Sequence, residues 1–90
     1  MMNGESVVPN FLKVRKEKDC IIVNNSELEI FFLNRSAAVL FAILVKERNR
    51  MKAFKIYKEI FRGKVNDEEL LKDFNKCLEY FIEKRIFLLN

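Results

Sequence analysis

The chain contains no histidine and no tryptophan, and only two cysteines, two glycines and one proline in 90 residues. Each shortage excludes a kind of chemistry. Without histidine there is no serine–histidine or cysteine–histidine nucleophile pair, and no imidazole to ligate zinc. Cys20 and Cys77 lie far apart in the sequence. They form no CxxC motif, and two thiolates alone cannot hold zinc or an iron–sulfur cluster. They read as small buried thiols in a reducing compartment. So few glycines leave no Gly-rich loop for a nucleotide phosphate, and the scarcity of glycine and proline argues against disorder. The longest apolar run, Ala37 to Val45, is far too short to span a bilayer. The opening MMNGESVVPN has neither the basic start nor the apolar run of a signal peptide, and Met1-Met2 does not match a myristoylation start. The expectations are a cytoplasmic location, no membrane partner and no cofactor. The carboxylates sit mostly on helix faces, where solvation accounts for them, so no enzyme active site is expected on this chain.

What the chain has is apolar bulk. Half its residues are hydrophobic and nine are phenylalanine. A single domain of this length buries about 60–68% of its unfolded surface, enough for one compact core without a metal or disulfide. Residues 1–8 read as a flexible arm, with Pro9 marking the turn into a domain over 9–90. Phe11 to Arg15 alternates as a half-exposed edge strand, and a charged turn around Lys18 and Asp19 follows. Cys20 to Val23 is a second strand rich in β-branched residues. Asn24-Asn25-Ser26 signals a turn, and Leu28 to Leu33 is the third strand. Together they predict an antiparallel meander.

The most telling stretch is LEIFFLNRSAAVLF, Leu28 to Phe41. The strand stops at Asn34 and an almost wholly apolar helix, Arg35 to Glu47, starts at once. Asn34 is placed to accept hydrogen bonds from that helix's first free N–H groups, which locks sheet and helix at one corner. A second helix, Met51 to Phe61, sets Phe54, Tyr57 and Phe61 at helical spacing, with Gly63 as its C-terminal cap. Asn66 followed by Glu69 resembles a capping box for a third helix, Asp67 to about Arg85. In that helix Leu70, Leu71, Phe74, Leu78, Phe81 and Ile82 form the buried stripe. Asp73, Lys76, Cys77, Tyr80 and Lys84 share an adjoining face. The apolar tail Ile86 to Leu89 either lengthens this helix or folds back on the sheet. The expected fold is α+β, three antiparallel strands followed by three helices (β-β-β-α-α-α), with the helices covering one sheet face.

Several features together resemble the PqqD-like domains, the precursor-peptide recognition elements that serve enzymes modifying ribosomally made peptides. They are Pro9, the strand end Phe32-Leu33-Asn34 running into Ser36-Ala37-Ala38, and the spaced apolar positions Val39, Leu40, Ile43 and Leu44. Val65-Asn66-Asp67-Glu68-Glu69 then opens a long helix with Leu78, Phe81 and Ile82. The resemblance covers Pro9 to about Leu89 and matches scaffold positions. It implies a winged-helix-like fold in which the leader segment of a substrate peptide adds as an extra strand beside the third strand. The peptide-binding residues it implies are Leu28, Glu29, Ile30, Phe31, Phe32 and Leu33 on the strand. Asp73, Lys76, Cys77, Tyr80 and Lys84 form the facing helix wall. It also implies a separate modifying enzyme, in much of the family a radical S-adenosylmethionine enzyme whose iron–sulfur clusters belong to that partner.

Duller readings stand beside this one. Leu28, Ile30 and Phe32 share one strand face and Glu29, Phe31 and Leu33 the other, so aromatic surface lies on both sides of the sheet. The second side is either covered by the N-terminal arm or the tail, or is a partner surface. Tyr80 also fits as a rim tyrosine, and Lys76 and Lys84 as solvated charges. An exposed third strand could also pair with a copy of itself as a homodimer.

The rival function is nucleic-acid binding by a winged helix. The chain is net +4, unevenly: residues 46–64 hold eight basic and two acidic side chains, whereas residues 65–90 hold four basic and six acidic. In a helix-turn-helix reading the third helix would enter the major groove. It carries the acidic excess, which phosphates would repel. The basic patch is Lys46, Arg48, Arg50, Lys52, Lys55, Lys58, Arg62 and Lys64. It suits an acidic docking partner better than DNA, and a solvated surface best of all.

Overall fold

The computed structural model describes residues 5–18 and 20–90. In chain order the elements are β1 (Val7–Pro9), β2 (Phe11–Lys16), β3 (Ile21–Asn25), β4 (Ile30–Leu33), α1 (Arg35–Lys46), α2 (Arg50–Ile60), α3 (Asp67–Glu83) and β5 (Phe87–Leu89). The fold is α+β. Strands β2, β3 and β4 form the expected antiparallel meander in that order, and the three helices follow.

The ends of the chain depart from expectation. Val7, Val8 and Pro9 do not belong to a loose arm. They form β1, which pairs antiparallel with β5, Val7 opposite Leu89 and Pro9 opposite Phe87. Val7 and Phe87 are fully buried. The segment is also tied to the α1–α2 turn, because Val7 N–H donates to the Arg48 carbonyl at 2.9 Å and Arg50 N–H to the Glu5 carbonyl at 2.9 Å. The tail therefore neither extends α3 nor joins the meander. It makes a second, two-stranded sheet with the chain's beginning. Three-residue strands are too short for alternation to register in a sequence, and their partners are as far apart as the chain allows. Residues 1–4 of the expected arm, and Asp19 of the expected turn, lie outside the described residues.

Asparagine starts all three helices. The side-chain oxygens of Asn34, Asn49 and Asn66 accept from the backbone N–H three residues on, Ala37, Lys52 and Glu69, at 2.9, 3.0 and 2.8 Å. Each such cap is worth about 1 kcal/mol against alanine. The expected cap at Asn34 is thus present, and β4 passes into α1 with only that residue between them. Asp67, Glu68 and Glu69 add favourable charge to the positive end of α3.

Phe11, Phe41, Phe81 and Phe87 pack ring against ring in the core, with centroid distances of 5.0 Å (Phe11–Phe41), 5.6 Å (Phe41–Phe87) and 5.5 Å (Phe81–Phe87). This cluster joins β2, α1, α3 and β5. A second group, Phe54, Tyr57, Phe61 and Phe74, joins α2 to α3. Leu71, expected in the buried stripe of α3, is exposed. Leu70, Phe74, Leu78 and Phe81 form that stripe without it.

The β3–β4 connection also differs from its sequence reading. Asn24 and Asn25 end β3, and the turn runs from Asn25 to Leu28, whose N–H donates to the Asn25 carbonyl at 3.0 Å. Asn25 is completely buried. Its amide nitrogen donates to Glu29 Oε1 at 2.9 Å and to the Lys84 carbonyl at 2.7 Å. Its oxygen accepts from the N–H groups of Glu27 and Glu29 at 2.9 and 3.0 Å. Asn10 repeats the device, donating to the Arg85 carbonyl at 2.8 Å and to Ser26 Oγ at 3.0 Å. Two asparagines therefore satisfy the carbonyls at the end of α3 and fasten the turn before β4 to that helix.

Candidate functional site: the β4 edge and its cleft

Strand β4 is an edge. β3 lies on one side of it, and among the described residues no strand pairs with the other. The bond from Asn25 N–H to the Glu29 carbonyl, at 3.2 Å, sets the phase of the ladder. The pairs Val23–Phe31 and Ile21–Leu33 continue the bonded series, and Ile22–Phe32 and Asn24–Ile30 fall between. Phe31 and Leu33 thus turn their backbone groups towards β3. Ile30 and Phe32 turn theirs outward to the free edge.

The side chains divide the other way. Leu33 is buried and Phe31 half-buried, its ring edge-on to Tyr80 at 6.3 Å between centroids. Ile30 is 59% exposed and Phe32 67% exposed on the sheet's other face. Among the described residues, β1 and the tail pair with each other, and Ile30 and Phe32 stay exposed. The face is a shallow concavity of about 620 Å³, lined by Ile22, Asn24, Ile30 and Phe32 with Lys13 and Arg15 at its side.

Beside the edge, on the helix side, lies a cleft of about 640 Å³. Phe32 and Leu33 form its strand wall, and Asp73, Lys76, Cys77 and Tyr80 its α3 wall. These six of the eleven expected site residues are brought together. The other five are not. Leu28 is no strand residue: its φ of +65° is a left-handed turn conformation, and its side chain is exposed. Glu29 belongs to the same turn, held by Asn25. Ile30 and Phe31 sit on β4 but do not line the cleft, and Lys84 caps α3 with its carbonyl on Asn25. The third helix ends at Glu83, and Lys84 is its C-terminal cap, outside the lining of the cleft.

Several lining residues were not anticipated. Ser36 and Ala37 come from the first turn of α1, Tyr57 from α2, Phe61 from its C-terminal cap, and Lys64 and Val65 from the α2–α3 turn. The spacing of Tyr57 and Phe61 marks them as packing residues, and only the seating of α2 against α3 brings them to a cavity. Phe32 borders both the cleft and the open sheet face. A strand laid along β4 would therefore send alternate side chains into the cleft and onto the face.

Burial pushes the Cys77 thiol up to about 11 from an ordinary 9.0. Burial likewise raises Tyr57, and the neighbouring Cys77 and Asp73 add to it. Both groups stay protonated at neutral pH. Alkylation of Cys77 by iodoacetamide at about pH 8 should be on the order of 100-fold slower than that of an unhindered thiol, since only the thiolate attacks. The same shift has a stability consequence. Its stabilising contribution is fully present below 9.0 and is lost as pH rises towards about 11, because the unfolded thiol ionises first. Urea denaturation near pH 8 and near pH 11 should show that loss, and Cys77→Ala should reduce it. A fast-reacting Cys77 would refute the buried placement. Among the described residues, no group of three or more cysteines and carboxylates is arranged to hold a metal.

Of the basic patch, Lys64 lines the cleft beside β4. Arg50 is engaged, its guanidinium on the Glu5 carboxylate and on Asn75 Oδ1 at 2.8 Å. Lys58 pairs with Asp67 at 3.7 Å and Arg62 with Glu59 at 3.2 Å. Lys46, Arg48, Lys52, Lys55 and Lys64 are exposed and have no ion pair among the described residues. No helix of the described residues is long and apolar enough to cross a membrane. Comparison with known proteins finds no family model, no curated protein and no solved structure that matches this chain.

Proposed function

We propose that this chain is a non-catalytic peptide-binding domain of the cytoplasm. It takes the leader segment of a ribosomally made precursor peptide as an added strand on β4 and delivers it to a separate modifying enzyme. The observation that carries this reading is the contrast between the two edges of the meander. β2 is blunted by Lys13, Arg15 and Lys16 and by an irregular register between Phe11 and Lys13. Charges and bulges of this kind keep an edge from pairing. β4, Ile-Phe-Phe-Leu, has no such protection, and a cleft runs beside it. An open edge supplies main-chain affinity to any extended peptide, and the cleft supplies selection among side chains. The resemblance to PqqD-like domains points the same way. Ordering a disordered leader costs entropy, so the complex is expected to be of modest affinity. The nucleic-acid alternative has less support, since α3 begins with three carboxylates and would meet phosphates with like charge.

Titrating isotope-labelled protein with the cognate leader tests this. The largest amide shifts are expected in 30–33 and 73–80. Ile30→Pro removes an outward donor without breaking a bond to β3, so it should weaken binding at least about tenfold while the fold persists. Shifts confined to 46–64 would refute the assignment.

A further inference from the structure

We propose that an unoccupied β4 edge pairs with the β4 edge of a second copy of this chain, about a two-fold axis passing through Phe31. The phase of the ladder makes this contact self-complementary. The outward groups belong to Ile30 and Phe32, two residues apart on one strand. In an antiparallel pair centred on Phe31, Ile30 of each copy stands opposite Phe32 of the other, and both pairs exchange N–H and C=O bonds. That arrangement is isologous and makes four hydrogen bonds. A one-residue slip would set inward-turned groups against outward-turned ones.

The side chains agree with the register. Ile30 and Phe32 point to the same open face, so the seam brings the two exposed Ile30 and two exposed Phe32 side chains of the pair together. Growth stops at two copies. The outer edges of the joined six-stranded sheet are both β2, which carries Lys13, Arg15 and Lys16. A contact built on one short strand is smaller than a standard interface, so a weak, transient dimer is expected.

One further consequence rests on the peptide reading given above: leader and second copy compete for the same edge, so dimerisation shields it until substrate arrives. Sedimentation velocity on the full chain, from micromolar to near-millimolar protein, tests the pairing. A monomer–dimer equilibrium is expected. Phe32→Lys, at an exposed position, should raise the dissociation constant at least about tenfold by placing a cation at the seam. Ile30→Pro should do the same by removing a donor. Amide exchange at Ile30 and Phe32 should slow as concentration rises. A monomer throughout, a dimer indifferent to both substitutions, or open-ended assembly would each overturn the proposal. Cognate leader should dissociate the dimer, and a leader bound to an intact dimer would overturn the shared edge. A β4-dependent dimer that binds no leader would leave the pairing standing and remove the peptide reading instead.

Discussion

Replacing Asn25 with alanine is expected to remove about 3 kcal/mol of folding stability, a large share of what a domain this size possesses. Asn25 is completely buried and uses its whole side-chain amide, donating twice and accepting twice. A typical bond contributes about 1 kcal/mol net, and a buried group left unpaired costs about 1–3 kcal/mol. Alanine would strand the Lys84 carbonyl and the Glu29 N–H together. The loss should also reach the candidate site, because Asn25 holds the turn that launches β4 against the end of α3. Amide exchange at Phe31 and Leu33 should accelerate more than at the β1–β5 pair. Asn25→Asp keeps both acceptor bonds but sets a carboxylate against the Lys84 carbonyl and the Glu29 carboxylate. It should be strongly destabilising at neutral pH and recover in part as the carboxyl groups protonate. Chemical denaturation of both variants is the measurement. A loss below about 1 kcal/mol for Asn25→Ala would mean that Asn25 does not pin the turn.

Adding this protein to the proposed partner enzyme should raise turnover of the full precursor by on the order of 100-fold at low substrate, and leave the leaderless core peptide unaffected. The reasoning is that a leader held on β4 makes encounter of the core segment with the active site effectively intramolecular. Binding raises effective concentration without altering the chemical step. On this reading the chain contributes no chemistry of its own. It has no histidine, and the thiol and phenol at the cleft are held protonated by burial. The isolated chain should therefore modify neither substrate. Product formation by the enzyme on both substrates, with and without the domain, separates the possibilities. Equal stimulation of both would mean direct activation of the enzyme, and Phe32→Lys should abolish a stimulation that depends on β4.

The sequence by itself determined the three-stranded meander, the three helices and their order. Local chemistry suffices for that: alternation in Phe11–Arg15, a 3.6-residue period in Asp67–Glu83, and asparagines that cap whatever helix follows them. It also placed Phe32, Leu33, Asp73, Lys76, Cys77 and Tyr80 at one site through the strand and the helix face that carry them. Contacts between distant segments were decided only in the tertiary structure. Pairing of β1 with β5 depends on two three-residue strands at opposite ends of the chain, each too short to show a period. The span of β4 depends on Asn25. Its turn signal is real, but its side chain is consumed by the end of α3, which draws Leu28 and Glu29 out of the strand. Tyr57 and Phe61 carry the periodicity of core residues, and only the packing of α2 on α3 makes them cleft walls. Periodicity reports which face of an element is apolar. Which surface meets that face, and where a gap is left between them, depends on how all the side chains pack at once.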